Sequence, residues 1–242
     1  MSQNYILETA VSYWDVDRDQ LLTLGGVFKL LQEGAIKHAD QFGLGAKAMT
    51  TLGESWVLNR IAAEITRYPR YEERVKLVTW SAGIRGFRGY RDLRLYCGEE
   101  CVLRASSLWL YINLRTKTLT RVPAELADRF PVGQAEMFRP DLDKTRYEAP
   151  SATVAATEVS LRYADFDGNA HLNNTAYLDC LQTALSRQAM PVRPKHVEMQ
   201  FLKEVSPSVA AVQVAVERTR EAAANFAVRS GGEVHAQGLV TF

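Results

Sequence analysis

Cysteine is scarce in this chain, with only Cys97, Cys101 and Cys180 among 242 residues. An odd, sparse set gives no disulfide framework and points to reduced thiols, the condition of a cytoplasmic protein. Cys97 and Cys101 flank "CGEEC", a hairpin-turn sequence, but no second pair or nearby histidine completes a metal site, so no metal or cofactor is expected. No basic leader precedes an apolar core at the start, so no signal peptide is expected. No apolar run approaches the roughly 20 residues of a membrane helix. Charge of one sign is also missing: 29 Lys+Arg stand against 28 Asp+Glu, which leaves no whole-protein field to draw nucleic acid or membrane. What remains is 47% hydrophobic and 24% charged, the balance of a globular protein with a substantial core.

The most informative feature is a repeat. "YWDVDRDQL" at Tyr13 recurs as "YADFDGNAHL" at Tyr163, a spacing of 163 − 13 = 150 residues. Tyr13, Asp15 and Asp17 match Tyr163, Asp165 and Asp167, whereas Asn169 and His171 replace Asp19 and Leu21. Each copy is preceded by a strand-like segment and followed by an amphipathic helix. In the first copy Leu24, Val27, Phe28, Leu31, Ala35 and Phe42 keep helical spacing, with Gly43 as a stop. In the second, Asn173 or Asn174 caps a helix with Tyr177, Leu178, Leu181 and Leu185 on one face. Four strand-like segments follow each helix, broken by Pro or Gly. The order predicts an α+β fold: an N-terminal unit at 1–125, a proline-bearing connector at 126–150 with one helical turn, and a C-terminal unit at 151–242.

In the second copy Asp167, Asn169 and His171 stand just before a helix N-terminus, whose free N–H groups and positive dipole end suit a developing oxyanion. Histidine exchanges protons near neutrality, carboxylates orient water or attack, and an amide holds a carbonyl. If the segment is extended, alternate positions 167, 169 and 171 face one side. Glu204, in "MQFLKEV", is a second candidate carboxylate placed on a strand. The first copy lacks the imidazole, so only the second half is expected to be catalytic, with Asp15 and Asp165 structural. His38 is expected at a polar face or boundary, and Trp56, Trp80 and Trp109 in the core. The helix-start pair Gly25 and Gly26 suggests close approach by a neighbouring strand, or simply a frayed first turn.

A strand, a long central helix and a curved antiparallel sheet, twice over, resemble a tandem (double) hotdog. Asp167-Gly168-Asn169-Ala170-His171-Leu172-Asn173-Asn174 resembles the Asp-x-Asn-x-His-x-Asn-Asn motif of acyl-acyl carrier protein (acyl-ACP) thioesterases. "MQFLKEV" resembles that family's glutamate-bearing segment, and "WVLNRIAAEITRYP", "GYRDL" and "SSLWLYIN" extend the likeness over nearly the whole chain. Plant members often carry a cysteine after the glutamate; Val205 stands here, so no thiol nucleophile exists at that position. The resemblance implies hydrolysis of fatty acyl-ACP by Asp167, Asn169, His171 and Glu204, an acyl tunnel supplied largely by the first half, where Gly25 and Gly26 would admit an acyl chain, acyl carrier protein as partner, and a monomer or weak homodimer. An arginine cluster (Arg67, Arg70, Arg74, Arg85, Arg88, Arg91 and Arg94) is a candidate acidic-partner patch or an ordinary solvated face. Three alternatives remain at this point: an acyl-CoA thioesterase, a hotdog dehydratase using Asp179 on the second helix, and a non-catalytic acyl-binding protein.

Overall fold

The computed structural model describes residues 4–45, 49, 51–133, 135–151 and 153–242. The first half contains β1 (Asn4–Ala10), α1 (Leu24–Gln41), β2 (Glu54–Ile65), β3 (Arg74–Arg85), β4 (Arg88–Cys97), β5 (Glu100–Asn113) and β6 (Thr118–Leu119). A short helix, α2 (Ala124–Asp128), follows. The second half contains β7 (Ala156–Ser160), α3 (Asn174–Arg187), β8 (His196–Phe201), β9 (Ala211–Arg220), β10 (Ala223–Ser230) and β11 (Glu233–Thr241). The helix starts follow from their caps. Thr23 Oγ1 accepts from Gly26 N–H at 3.0 Å, and Asn173 Oδ1 from Thr175 N–H at 2.9 Å. Gly43, at φ 67°, takes the left-handed turn that ends the first helix.

The strands form one sheet in the order β1-β3-β4-β5-β2-β8-β11-β10-β9-β7, with β6 paired to β5. Each half has the same internal order, and the two meet where β2 pairs antiparallel with β8, Ile61 opposite Met199. Helix α1 lies on β1 and β3, α3 lies on β7, β9 and β10, and the helices pack against each other. Their apolar faces share a core with the inner face of the sheet, including Leu24, Val27, Phe28 and Leu31 from α1 and Leu178, Leu181 and Leu185 from α3. Each such side chain contributes about 1.5–3 kcal/mol relative to leaving it in water. This is a double hotdog, two helices cradled by one shared sheet. Among the described residues no helix is long and apolar enough to cross a membrane.

The connector covers the opposite face. Leu142 is buried with Ala62, Tyr90 and Leu108, and Phe138 packs at the edge of that cluster. Glu198 of β8, at 3% exposure, receives hydrogen bonds there from Arg139 and from Tyr147 OH at 3.1 Å. His196 Nε2 lies 2.8 Å from the same carboxylate.

His38 is no boundary residue. It is fully buried, and its Nδ1 accepts from Arg91 Nη1 at 2.8 Å. Burial, with the positive charge of Arg91 behind it, pushes the imidazole down to about 3, so the ring is neutral. Arg91 thus leaves the arginine cluster for the interior, while Arg67 is paired with Glu73 and Glu100 and Arg94 with Asp92.

Near the seam, Gly238 of β11 allows the backbone of β8 to approach. A Cβ there would stand 1.9 Å from the Glu198 carbonyl oxygen and 2.9 Å from Phe226 Cζ. Since the obstacle is backbone, Gly238→Ala is expected to cost about 3 kcal/mol, the upper end of ordinary overpacking. A denaturant titration that finds the variant as stable as the parent would contradict this packing.

Candidate active site

The two repeats fold into the same loop. In the second copy Asp167 N–H donates to the His171 carbonyl at 2.9 Å and Ala170 N–H to the Asp167 carbonyl at 3.0 Å. Asp167 Oδ1 accepts from the N–H groups of Asn169 and His171 at 2.8 and 3.3 Å. In the first copy Asp17 binds Leu21 and Gln20 in the same way, and its Oδ1 accepts from Asp19 and Leu21 at 2.9 and 3.3 Å. Gln20 and Ala170 hold matching left-handed conformations, φ 59° and 58°. The segment is therefore a tight turn, not an extended strand, because the aspartate carboxylate folds the chain back on itself. One Asp167 oxygen is committed to that turn. Asp15 and Asp165 also brace it, their carbonyls accepting from Thr23 and Asn173, both at 2.8 Å.

The turn delivers His171 to Glu204, with Nε2 to Oε2 at 3.0 Å and both side chains partly exposed. Glu204 is not on a strand. β8 ends at Phe201, since Leu202 and Lys203 both direct their N–H groups to the His235 carbonyl and the chain leaves the ladder. Leu172 N–H then holds the segment by bonding the Val205 carbonyl at 3.0 Å. The other Glu204 oxygen accepts from Lys117 Nζ at 2.9 Å. Lys117 belongs to the β5–β6 hairpin of the first half, at φ 54°, in a turn fixed by Asn113 Oδ1. Sequence reasoning missed it, and nothing in the turn sequence marks a partner 87 residues away. Asn169 is exposed, and its side chain has no hydrogen-bond partner among the described residues.

A narrow cleft lies between α1, the sheet and the start of α3. Phe28, Leu31, Ala35, Leu58, Ile61 and Leu93 give it apolar walls. Gln32 of α1, with Asn174 and Thr175 at the α3 N-terminus, supplies polar groups to it. Trp109 packs against the core as expected and also lines the cleft, its indole N–H donating to Ser107 Oγ at 3.0 Å. Trp80 is core, and Trp56 packs against Tyr111 with the rings tilted at 56°. Gly25 makes room for neither a strand nor an acyl chain. A Cβ there would meet Asp179 Oδ1 at 1.9 Å. Asp179 thus packs on α1 and does not line the cleft; burial raises its carboxyl above the usual range. Cys180 is buried and its thiol pushed up to about 12 by burial, which leaves no thiolate nucleophile there.

The equivalent site in the first copy is closed. Leu21 replaces His171. Leu22 N–H bonds the Pro69 carbonyl as Leu172 bonds Val205, so Tyr68 falls where Glu204 does, and it is buried with its OH on the Pro194 carbonyl. Arg193 Nη2 spans Asp17 at 2.5 Å and Asp19 at 2.6 Å, covering that turn.

The pattern of the acyl-ACP thioesterase N-terminal domain matches residues 2–130, and that of the acyl-ACP thioesterase C-terminal domain matches residues 148–242. A palmitoyl-acyl carrier protein thioesterase of Gossypium hirsutum is 25% identical over 209 residues, covering 81% of this chain and 48% of that protein. An oleoyl-acyl carrier protein thioesterase of Coriandrum sativum is 27% identical over 196 residues, covering 74% and 53%. The chain spans about half the length of the curated relatives it matches. In fold it is similar to the crystal structure of an acyl-ACP thioesterase from Bacteroides thetaiotaomicron, with TM-score 0.86, 21% identity and 100% of both chains covered. It is also similar to the 12:0-ACP thioesterase from Umbellularia californica, with TM-score 0.84, 18% identity, and 100% and 97% covered. With two family domains matched in series over nearly its whole length, the chain belongs to the acyl-ACP thioesterase family.

Proposed function

We propose that the chain hydrolyses fatty acyl-ACP thioesters to free acid and holo-carrier protein at one site, formed mainly by its second half. The observation that carries this is the His171–Glu204 pair, 3.0 Å apart, beside a helix N-terminus that opens on an apolar cleft. The acyl chain lies in the cleft, and its thioester oxygen meets the α3 N-terminus, where an N–H stabilises the charge that develops. His171 takes a proton from water and returns one to the leaving thiolate, and Glu204 orients the ring and steadies the imidazolium. The exposed Asn169 side chain, without a hydrogen-bond partner among the described residues, is free to hold the carrier's thioester. Asp167 builds the turn that sets His171. The names of the relatives, palmitoyl- and oleoyl-acyl carrier protein thioesterase, support the carrier and the chemistry. The internal repeat supplies the pairing that single hotdogs obtain by dimerising, which favours a monomer or weak dimer. Three free thiols favour a reducing compartment, the cytoplasm.

The asymmetry of the copies gives a test. Asparagine keeps the Oδ1 acceptor of either turn, so an Asp→Asn change alters charge with little change of shape. Asp167→Asn is expected to lower kcat by about 10²-fold, the smaller end of what a positioned acid–base group contributes. Asp17→Asn should leave kcat within about twofold and only weaken the Arg193 pair. Steady-state rates of acid release would decide; equal losses would mean two working sites or a shared folding role.

A further inference from the structure

Gln32 and Gln182 occupy equivalent places on the two helices, 182 − 32 = 150 residues apart, but are used differently. The Gln182 amide is satisfied at both ends. Its Nε2 donates to the Val192 carbonyl at 2.9 Å, and its Oε1 accepts from Leu24 N–H, the first residue of α1, at 3.0 Å. In the closed copy, then, an amide oxygen from one helix rests on the N-terminal N–H of the other.

The live copy leaves both halves of that contact open. Gln32 Oε1 is buried and has no hydrogen-bond partner among the described residues. It lines the cleft together with Asn174, the first residue of α3, whose N–H has no partner among the described residues. A buried orphan acceptor is costly to keep, and two unfilled groups at the polar end of an apolar cleft point to a ligand.

We propose that Gln32 is a catalytic residue of the thioester hydrolysis assigned above, and the proposal rests on that reading. Gln32 Oε1 accepts a hydrogen bond from the attacking water. Asn174 N–H takes the thioester oxygen, in the position that the Gln182 amide oxygen fills in the closed copy. The water oxygen bonds to the carbonyl carbon and its other proton passes to His171. When the tetrahedral intermediate collapses the C–S bond breaks, and the thiolate leaves with that proton. The products are the free acid and the carrier thiol. The first half thereby contributes a reacting-site group, which the second half alone does not contain.

The test measures kcat, KM and melting temperature of the full chain with acyl-ACP for wild type, Gln32→Leu, Gln32→Glu and Gln182→Leu. Gln32→Leu should lower kcat by about 10²-fold, the scale of one positioned polar contact, with KM within twofold. Its melting temperature should hold or rise, because the change removes an unsatisfied buried oxygen. A structural role predicts a fall instead. Gln32→Glu keeps an acceptor oxygen and should stay within about 10-fold of wild type; an amide donating to the thioester oxygen would make it as poor as Gln32→Leu. Gln182→Leu should melt lower with kcat within twofold. Wild-type turnover in Gln32→Leu, activity lost in step with melting temperature, or Gln32→Glu no better than Gln32→Leu would overturn the proposal. A wild-type chain that releases no acid from any acyl thioester would refute the hydrolase reading itself, whereas an active wild type with an unimpaired Gln32→Leu removes only Gln32.

Discussion

Replacing His171 by alanine is expected to lower kcat by about 10²–10⁴-fold, the usual contribution of a positioned acid–base group, with little change in melting temperature. The ring is partly exposed and pairs with Glu204 at 3.0 Å, while the turn itself is held by backbone groups and by Asp167 Oδ1. Removing the imidazole therefore takes away a proton carrier without dismantling its support. Glu204→Ala should fall in the same range if its task is to orient that ring. The double variant should then be far less impaired than the product of the two single losses, since two members of one unit fail together. Lys117 complicates the comparison in a useful way. It pairs with the other Glu204 oxygen but is itself largely exposed, so its loss should be small and salt-dependent. Multiplicative losses for His171 and Glu204 would mean that the pair does not act as a unit.

The second large effect lies on the opposite face of the sheet. Glu198→Ala is expected to destabilise the protein by about 3 kcal/mol, the low end for breaking a buried ion pair, because Arg139 retains some solvent. The substitution leaves Arg139, Tyr147 OH and His196 Nε2 without their shared carboxylate. It also loosens the connector where it crosses the β2–β8 seam, at which Ala62 faces Glu198. The sign of the pH dependence follows from the carboxyl group. Burial alone would raise it, but the hydrogen bond from His196 and the charge of Arg139 outweigh burial and hold it below its unfolded value of 4.5. A carboxyl lowered in the folded state stabilises at neutral pH, and that contribution is lost as pH falls below about 4.5 through the folded value. Denaturant titrations at pH 7 and near pH 3 should show a wide gap between wild type and Glu198→Ala that narrows in acid. A gap that widens in acid would contradict the assignment.

Much of this was legible in the sequence because the governing patterns are local. The Asp-x-Asp turn needs a side-chain acceptor at a fixed offset, and both copies display it at Asp17 and Asp167. The strands announce themselves by alternation, and the helix caps by Thr23 and Asn173. What was not legible depends on partners distant in the chain. The left-handed Ala170 carries no glycine signature, so the turn passed for an extended segment. Glu204 left its strand because the N–H groups of Leu202 and Lys203 converge on the carbonyl of His235, far along the chain. His38 and Arg91 look like ordinary polar residues until the fold buries them together. Lys117 and Gln32 belong to the first half yet face the second half's site, and no periodicity reports a contact between halves.

The central claim, one carrier-protein thioesterase site in a doubled hotdog, is tested most directly by comparing release of free acid from matched acyl-ACP and acyl-CoA substrates in wild type and His171→Ala. The account predicts faster release from acyl-ACP by the wild type, and a loss of both activities together in His171→Ala. Preference for acyl-CoA would contradict the carrier assignment, and undiminished release by His171→Ala would contradict the site.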